Sequence, residues 1–232
     1  MEEIDAGYSD PLSGAFILYT QPSGRPELWN QYLAGARKSY GQHGVENALD
    51  FQHMRDGIST ALFVVALDGD GRVVGGLRVA GPLRQVGDAA AMLEWGGRPG
   101  TKELGRRIGQ RLNDGIVEIK AVWVDRDIAR HHQTAEALAR AFVHTLDLLD
   151  VRYAFCTAAE HALPRWQTTG GVISTDIPAV AYPDERYRTR VMWWDRERLL
   201  ESVSAEQISA LLRESGQLRR TRPAVAVSTA VA

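Results

Sequence analysis

Residues of the segment Glu118-Ile119-Lys120-Ala121-Val122-Trp123-Val124 alternate in a way that could do chemistry. In a strand, Glu118, Lys120, Val122 and Val124 point to one face and Ile119, Ala121 and Trp123 to the other. A carboxyl group so placed can act as a general base if its surroundings lift its pKa. A lysine on the same face works against this by favouring the carboxylate. The same two residues also fit a plain surface ion pair, which is worth little. Downstream, Arg130-His131-His132-Gln133-Thr134-Ala135 opens a long apolar-striped segment. A helix starting there offers unpaired N–H groups and a partial positive charge to a phosphate, with Arg130, His131 and His132 as further donors. The alternative is the polar first turn of a surface helix. Cys156 sits inside the apolar run Tyr153-Ala154-Phe155-Cys156, where a thiol is usually an inert packing residue. The histidines show no HExxH or other ligand spacing, so no metal site is expected.

The whole chain limits what these residues can serve. It has 232 residues, 44% of them hydrophobic, enough for one large domain with its own core. One cysteine cannot make an internal disulfide, and the sequence reads as that of a reduced, cytoplasmic protein. With 27 Lys and Arg against 29 Asp and Glu, the formal charge is −2, which gives no field for nucleic acid or an anionic membrane. No apolar run reaches the roughly 18 residues of a membrane span. The first residues, Met1-Glu2-Glu3-Ile4-Asp5, are acidic where a secretory signal would be basic.

The elements that must position the candidate residues follow from periodicity. Residues 1–14 lack it and are expected to form a flexible lead-in. Leu28, Trp29, Tyr32, Leu33, Ala36 and Tyr40 recur at helical spacing. Two apolar runs, 61–67 and 72–79, flank Asp68-Gly69-Asp70-Gly71 and read as a hairpin. Its Gly75-Gly76 pair signals a bulge or a close approach. Residues 81–115 read as an insertion with two short helices near 89–94 and 102–112. A strand over 116–124, a strong helix over 134–150, a strand over 151–157 and a helical turn over 164–169 follow. Gly170-Gly171 is a stop, and strands over 172–180 and 187–194 form a final pair. Trp193-Trp194, with Arg186, Arg188 and Arg190 nearby, fits a solvated edge or the lining of a channel. Ser204-Ala205-Glu206-Gln207 has capping-box spacing and opens a C-terminal helix, short and ending near Leu212, within 201–218. Residues 219–232 are expected to be disordered. Hairpins plus one strand-helix-strand crossover require a mixed α/β (α+β) sheet flanked by helices, in a single domain over 15–200.

This order, with residues 118–125 leading through 130–135 into the long helix, resembles the GCN5-related N-acyltransferase superfamily. That family opens the helix with Arg/Gln-x-x-Gly-x-Gly/Ala. Here Arg130 and Ala135 match, and Gln133 replaces the middle glycine. The resemblance implies acyl-CoA, carrying an acetyl or longer group, as co-substrate and a primary amine of a small molecule or a protein as acceptor. It places Val122, Trp123 and Val124, with Arg130, His131, His132, Gln133, Thr134 and Ala135, around the pantetheine arm and phosphates. It makes Glu118, six residues before Val124, the general base. The family's tyrosine acid would fall at Trp166, which has no titratable proton, leaving His161 or Tyr153 as substitutes or an unassisted thiolate. A narrower resemblance, through 74–79 with 117–119 across the insertion and through Ala36-Arg37-Lys38-Ser39-Tyr40, is to the acyl-homoserine-lactone and N-acyl amino acid synthases. It implies an acyl-phosphopantetheine donor on acyl carrier protein, which would account for Gln133. A non-catalytic acyl-CoA-binding module with the same fold is the alternative outside enzymes.

Overall fold

The computed structural model describes residues 4–221, with side chains to residue 218; the tail from 222 to 232 lies outside the described residues. The chain opens with β1 (Asp5–Ser9) and β2 (Phe16–Thr20), then α1 (Pro26–Gln42) and the short α2 (Phe51–Met54). The hairpin β3 (Thr60–Leu67) and β4 (Val73–Ala80) leads to the insertion, with α3 (Ala91–Glu94) and α4 (Thr101–Gly109). Next come β5 (Ile116–Val124), α5 (His131–Leu148), β6 (Tyr153–Ala159) and α6 (Leu163–Thr168). The chain closes with β7 (Val172–Ile173), β8 (Val180–Ala181), β9 (Arg188–Asp195), α7 (Leu199–Ser202) and α8 (Ala205–Thr221). Among the described residues the strands form one sheet in the order β1-β2-β3-β4-β5-β6-β9-β7, with β8 also on β9. Of its pairings only β5 with β6 is parallel, as the crossover through α5 demands.

Helix α5 buries Ala137, Leu138, Ala141 and Phe142 against Ile17, Leu62, Leu77, Val117 and Ile119 on one face of the sheet. On the other, α1 packs Trp29, Tyr32 and Leu33 on Phe63 and Trp123. Beside it the insertion packs Trp95, Leu104 and Ile108 on Phe155, Val191 and Trp193. No helix among the described residues is long and apolar enough to cross a membrane.

Three expectations are corrected. The lead-in is not unstructured: Ile4, Ala6 and Tyr8 are buried and β1 pairs with β2 from Asp5↔Thr20 to Ser9↔Phe16. Its period-two signal is only three residues long and interrupted by Gly7, so tertiary pairing decides it. The strand over 172–180 is two separate two-residue pieces on β9, because Ser174-Thr175-Asp176 and Pro178 between them favour turns over a ladder. Finally, α8 continues to Thr221, past Leu212, because its buried stripe runs through Leu211 and Leu218 by way of a charged residue, Glu214.

Candidate active site

The site begins where the parallel ladder ends. β5 and β6 pair from Ile116↔Tyr153 to Ile119↔Cys156; beyond this β5 stays beside β4 and β6 beside β9, so the two strands part. A bulge in β5 accompanies the parting: Gly76↔Trp123 is followed by Arg78↔Lys120, setting two residues of β5 against one of β4. Ala121 takes φ +50°, a left-handed conformation unfavourable by about 1–2 kcal/mol for an L-residue. Tyr32 of α1 holds it there, donating its hydroxyl to the Ala121 carbonyl at 2.8 Å. Helix α1 can come this close because Gly76 leaves room. A Cβ there would lie 2.5 Å from the Val64 carbonyl oxygen and 2.8 Å from the Tyr32 ring.

The bulge also reverses the alternation of β5. Val117 and Ile119 face α5, and so do Val122 and Val124 beyond the bulge, whereas Ala121 and Trp123 join the core under α1. The expected common face of Glu118, Lys120, Val122 and Val124 therefore does not exist.

A cavity of about 400 Å³ occupies the parting and reaches both faces of the sheet. Its α5 side is apolar, lined by Ile119, Val122, Phe142, Cys156, Ala158 and Trp166. The Trp166 indole stacks on Phe142 at 4.6 Å between centroids. The α1 side carries the polar groups Tyr40, His43, Glu94, Lys120, Tyr182 and Tyr187.

Two carboxylates share Lys120 at the polar end. Glu118 is fully buried; its oxygens accept the N–H groups of Ala90 at 2.7 Å and Ala91 at 3.0 Å, at the start of α3. Lys120 Nζ lies 3.9 Å from it and makes a close ion pair with Glu94 Oε1. Burial pushes the Glu118 carboxyl up, against the pull of Lys120 and the two N–H groups. Burial opposes the charge of Lys120, but Glu94 and Glu118 outweigh it and raise its pKa. Glu94 Oε2 is buried and has no hydrogen-bond partner, although Glu94 is on the cavity wall.

With this geometry in view, comparisons with known proteins place the chain. No family model matches the sequence. The uncharacterized protein Rv1356c of Mycobacterium tuberculosis is 47% identical over 214 residues, 92% of this chain and 81% of the relative. The uncharacterized protein Mb1391c of Mycobacterium bovis matches to the same extent. The chain belongs to the family of these mycobacterial proteins. Among solved structures it is similar to FeeM, an N-acyl amino acid synthase from uncultured soil microbes, with a TM-score of 0.57, 10% identity and coverage of 89% of this chain and 96% of that one. It is also similar to BjaI, a CoA-dependent acyl-homoserine lactone synthase solved with MTA, with a TM-score of 0.57, 18% identity and coverage of 86% and 89%. An acyl-CoA N-acyltransferase from Pseudomonas aeruginosa gives a TM-score of 0.52 at 13% identity, covering 77% and 98%. The fold is the expected one, that of the GCN5-related N-acyltransferases.

In this family member, the residues expected from sequence are brought together only in part. Val122 lines the cavity. Val124 is half-buried against the α5 core, and Trp123 is buried under α1, away from the cavity, where its ring would meet a Cβ on Gly35. Glu118 is held behind Lys120 with both oxygens engaged. At the start of α5, His132 and Gln133 are exposed and His131 half-exposed. Thr134 and Ala135 are buried, and the Thr134 N–H donates to the Arg130 carbonyl at 2.9 Å, so its amide is already committed. Arg130 donates to the Leu12 carbonyl at 3.4 Å. Arg37 lies over the Phe51 ring in a separate groove, whereas Tyr40 of the same segment reaches the cavity. His161 lines the cavity, and Tyr153 is at the far end of β6. Cys156 is buried in the wall, and burial pushes its thiol up. Sequence reasoning missed Glu94, Tyr182 and the position of Tyr40. The one available signal for Glu94 was an acid in the apolar stretch Ala91-Met92-Leu93-Glu94-Trp95.

Proposed function

We propose that the chain is an N-acyltransferase that moves an acyl group from an acyl-CoA thioester to the primary amine of a small molecule. One observation carries this reading: a cavity passes through the sheet where two parallel strands part, apolar at one end and lined at the other by Glu94, Lys120 and the tyrosines Tyr40 and Tyr182. The pantetheine arm fits the parting as an added strand, its amides meeting the edges of β5 and β6 that no longer pair with each other. The diphosphate then falls near the amino end of α5, where the N–H groups of His131, His132 and Gln133 precede the first intrahelical donor at Thr134. The amine comes from the α1 side. The nitrogen of the neutral amine attacks the thioester carbonyl, the C–N bond forms, the proton it then carries passes to the Glu94 carboxylate, the C–S bond breaks and the thiolate departs. A thiol of pKa about 8.5 can leave without an acid, which suits the indole at Trp166. Glu94 thus takes the role the sequence offered to Glu118.

A carrier-protein donor is the second reading, favoured by the exposed Gln133 at the position where a glycine admits a diphosphate. The experiment follows free thiol from acetyl-CoA, longer acyl-CoAs and the same acyl groups on carrier protein, with a panel of primary amines. Amine-dependent release that is lost in Glu94→Gln supports the reading. Thermal stabilisation by acyl-CoA with no release from any donor identifies a binding module instead.

A further inference from the structure

We infer that the site takes a short acyl group, acetyl to about butyryl, and that Trp166 sets this limit. The inference deepens the acyltransferase reading and rests on it. With the sulfur in the parting and the amine on the α1 side, the hydrocarbon of the acyl group is left with the α5 side, whose lining is apolar. Two features close that side. The first is the sheet itself, because β5 and β6 are still paired at Ile119↔Cys156 and leave no gap between the strands for a chain to follow. The second is a stack of rings. Trp166 of α6 lines the cavity with only 7% of its surface exposed, and Phe142 of α5 lies against it, the centroids 4.6 Å apart and the planes 11° from parallel. The Trp194 ring in turn meets Phe142 edge-on at 4.9 Å, and both of these side chains are fully buried. A chain that reaches Trp166 therefore meets close-packed core, which resists added atoms. The space before that stop is small. It is about 400 Å³ in all, toward the lower end for ligand sites, and the end of the pantetheine arm and the amine share it. A longer chain must turn to the α1 side, beside Glu94 and Lys120, where hydrocarbon would displace the amine and strip water from charged groups. Each methylene that fits tightens binding about fourfold, and each one beyond the limit forfeits that gain.

The test is calorimetric titration of the full chain with acetyl-, butyryl-, octanoyl- and dodecanoyl-CoA, with no amine present. Butyryl-CoA is expected to bind at least about tenfold more tightly than octanoyl- or dodecanoyl-CoA. Trp166→Leu opens the closed end and is expected to raise octanoyl binding relative to butyryl at least about tenfold. Trp166→Phe keeps a ring against Phe142 and is expected to move the same ratio in the same direction by less; it decides the matter where the leucine variant has no cooperative melting curve. Octanoyl-CoA binding as tightly as butyryl-CoA in the wild type, no binding by any of the four, or an unchanged ratio in whichever variants fold overturns the inference. The wild-type comparison needs no variant. Failure of the transferase reading looks different: the short acyl-CoAs bind with this preference, yet release no thiol with any amine.

Discussion

Glu94 and Glu118 differ in which of their oxygens are already taken. Glu118 spends both on the N–H groups of Ala90 and Ala91, whereas Glu94, a residue of the cavity lining, has an Oε2 with no hydrogen-bond partner. Glu94→Gln is therefore expected to lower kcat/KM at least a hundredfold, in the range of a lost general base. Glu118→Gln instead costs about 1–3 kcal/mol in urea unfolding, through a weakened hold on α3, and leaves kcat within a few-fold. A reversed pattern in the two variants would return the role to Glu118. The sequence showed a carboxylate inside a strand, and it could show no more. Only the packing of the insertion against β5 reveals that one acid is committed to backbone donors and that another arrives from α3.

At the scale of elements, the active geometry comes from a bulge that one helix enforces. Tyr32→Phe removes the hydrogen bond to Ala121 and leaves a buried carbonyl without its donor. The expected loss is about 1–3 kcal/mol in urea unfolding, with weaker acyl-CoA binding because the strand edge loses its shape. Unchanged stability and affinity would mean that the bulge does not depend on α1. The elements themselves were largely legible. The β3–β4 hairpin, β5 and α5 carry long, regular periodicities, and each lies within a few residues of its expected place. The reversal of faces in β5 was not legible, because its cause, Tyr32 with its ring over Gly76 and its hydroxyl on the Ala121 carbonyl, belongs to an element far away in sequence. The short β1 and the fragments β7 and β8 owe their existence to their partners, and a local pattern does not record that.

Across the whole molecule, a buried polar network joins the two ends of the chain to the helix behind the cavity. Arg140 of α5 donates to Asp10 after β1 and to Glu214 of α8, both at 2.6 Å, and Glu214 also meets His144 at 2.9 Å. Burial pushes the Glu214 carboxyl up, but His144 and Arg140 outweigh it and hold it below the usual range. Glu214→Ala leaves a buried guanidinium short of a partner and is expected to cost about 3–5 kcal/mol in chemical denaturation. A cost below about 1 kcal/mol would show that α8 does not contribute to the core. The tyrosines give the fold an alkaline limit. Burial holds Tyr8, Tyr19 and Tyr32 well above the usual phenol value and pushes Tyr40 up to about 12. These groups keep their protons in the folded chain but lose them near pH 10 when unfolded. Their contribution is therefore whole below pH 10 and is lost as pH rises above it, by about 1.4 kcal/mol per pH unit for each tyrosine, the share of Tyr40 being spent by about 12. Melting temperatures should be flat to about pH 9.5 and fall steeply above pH 10. The most direct measurement of all is a crystal structure with a non-hydrolysable acyl thioether of CoA. It should show the pantetheine arm threaded between Lys120–Val124 and Thr157–Ala159, the sulfur near Val122 and Ala158, and the acyl carbon open to Glu94 from the α1 side. A ligand bound elsewhere, with the strands unoccupied where they part, would contradict the account.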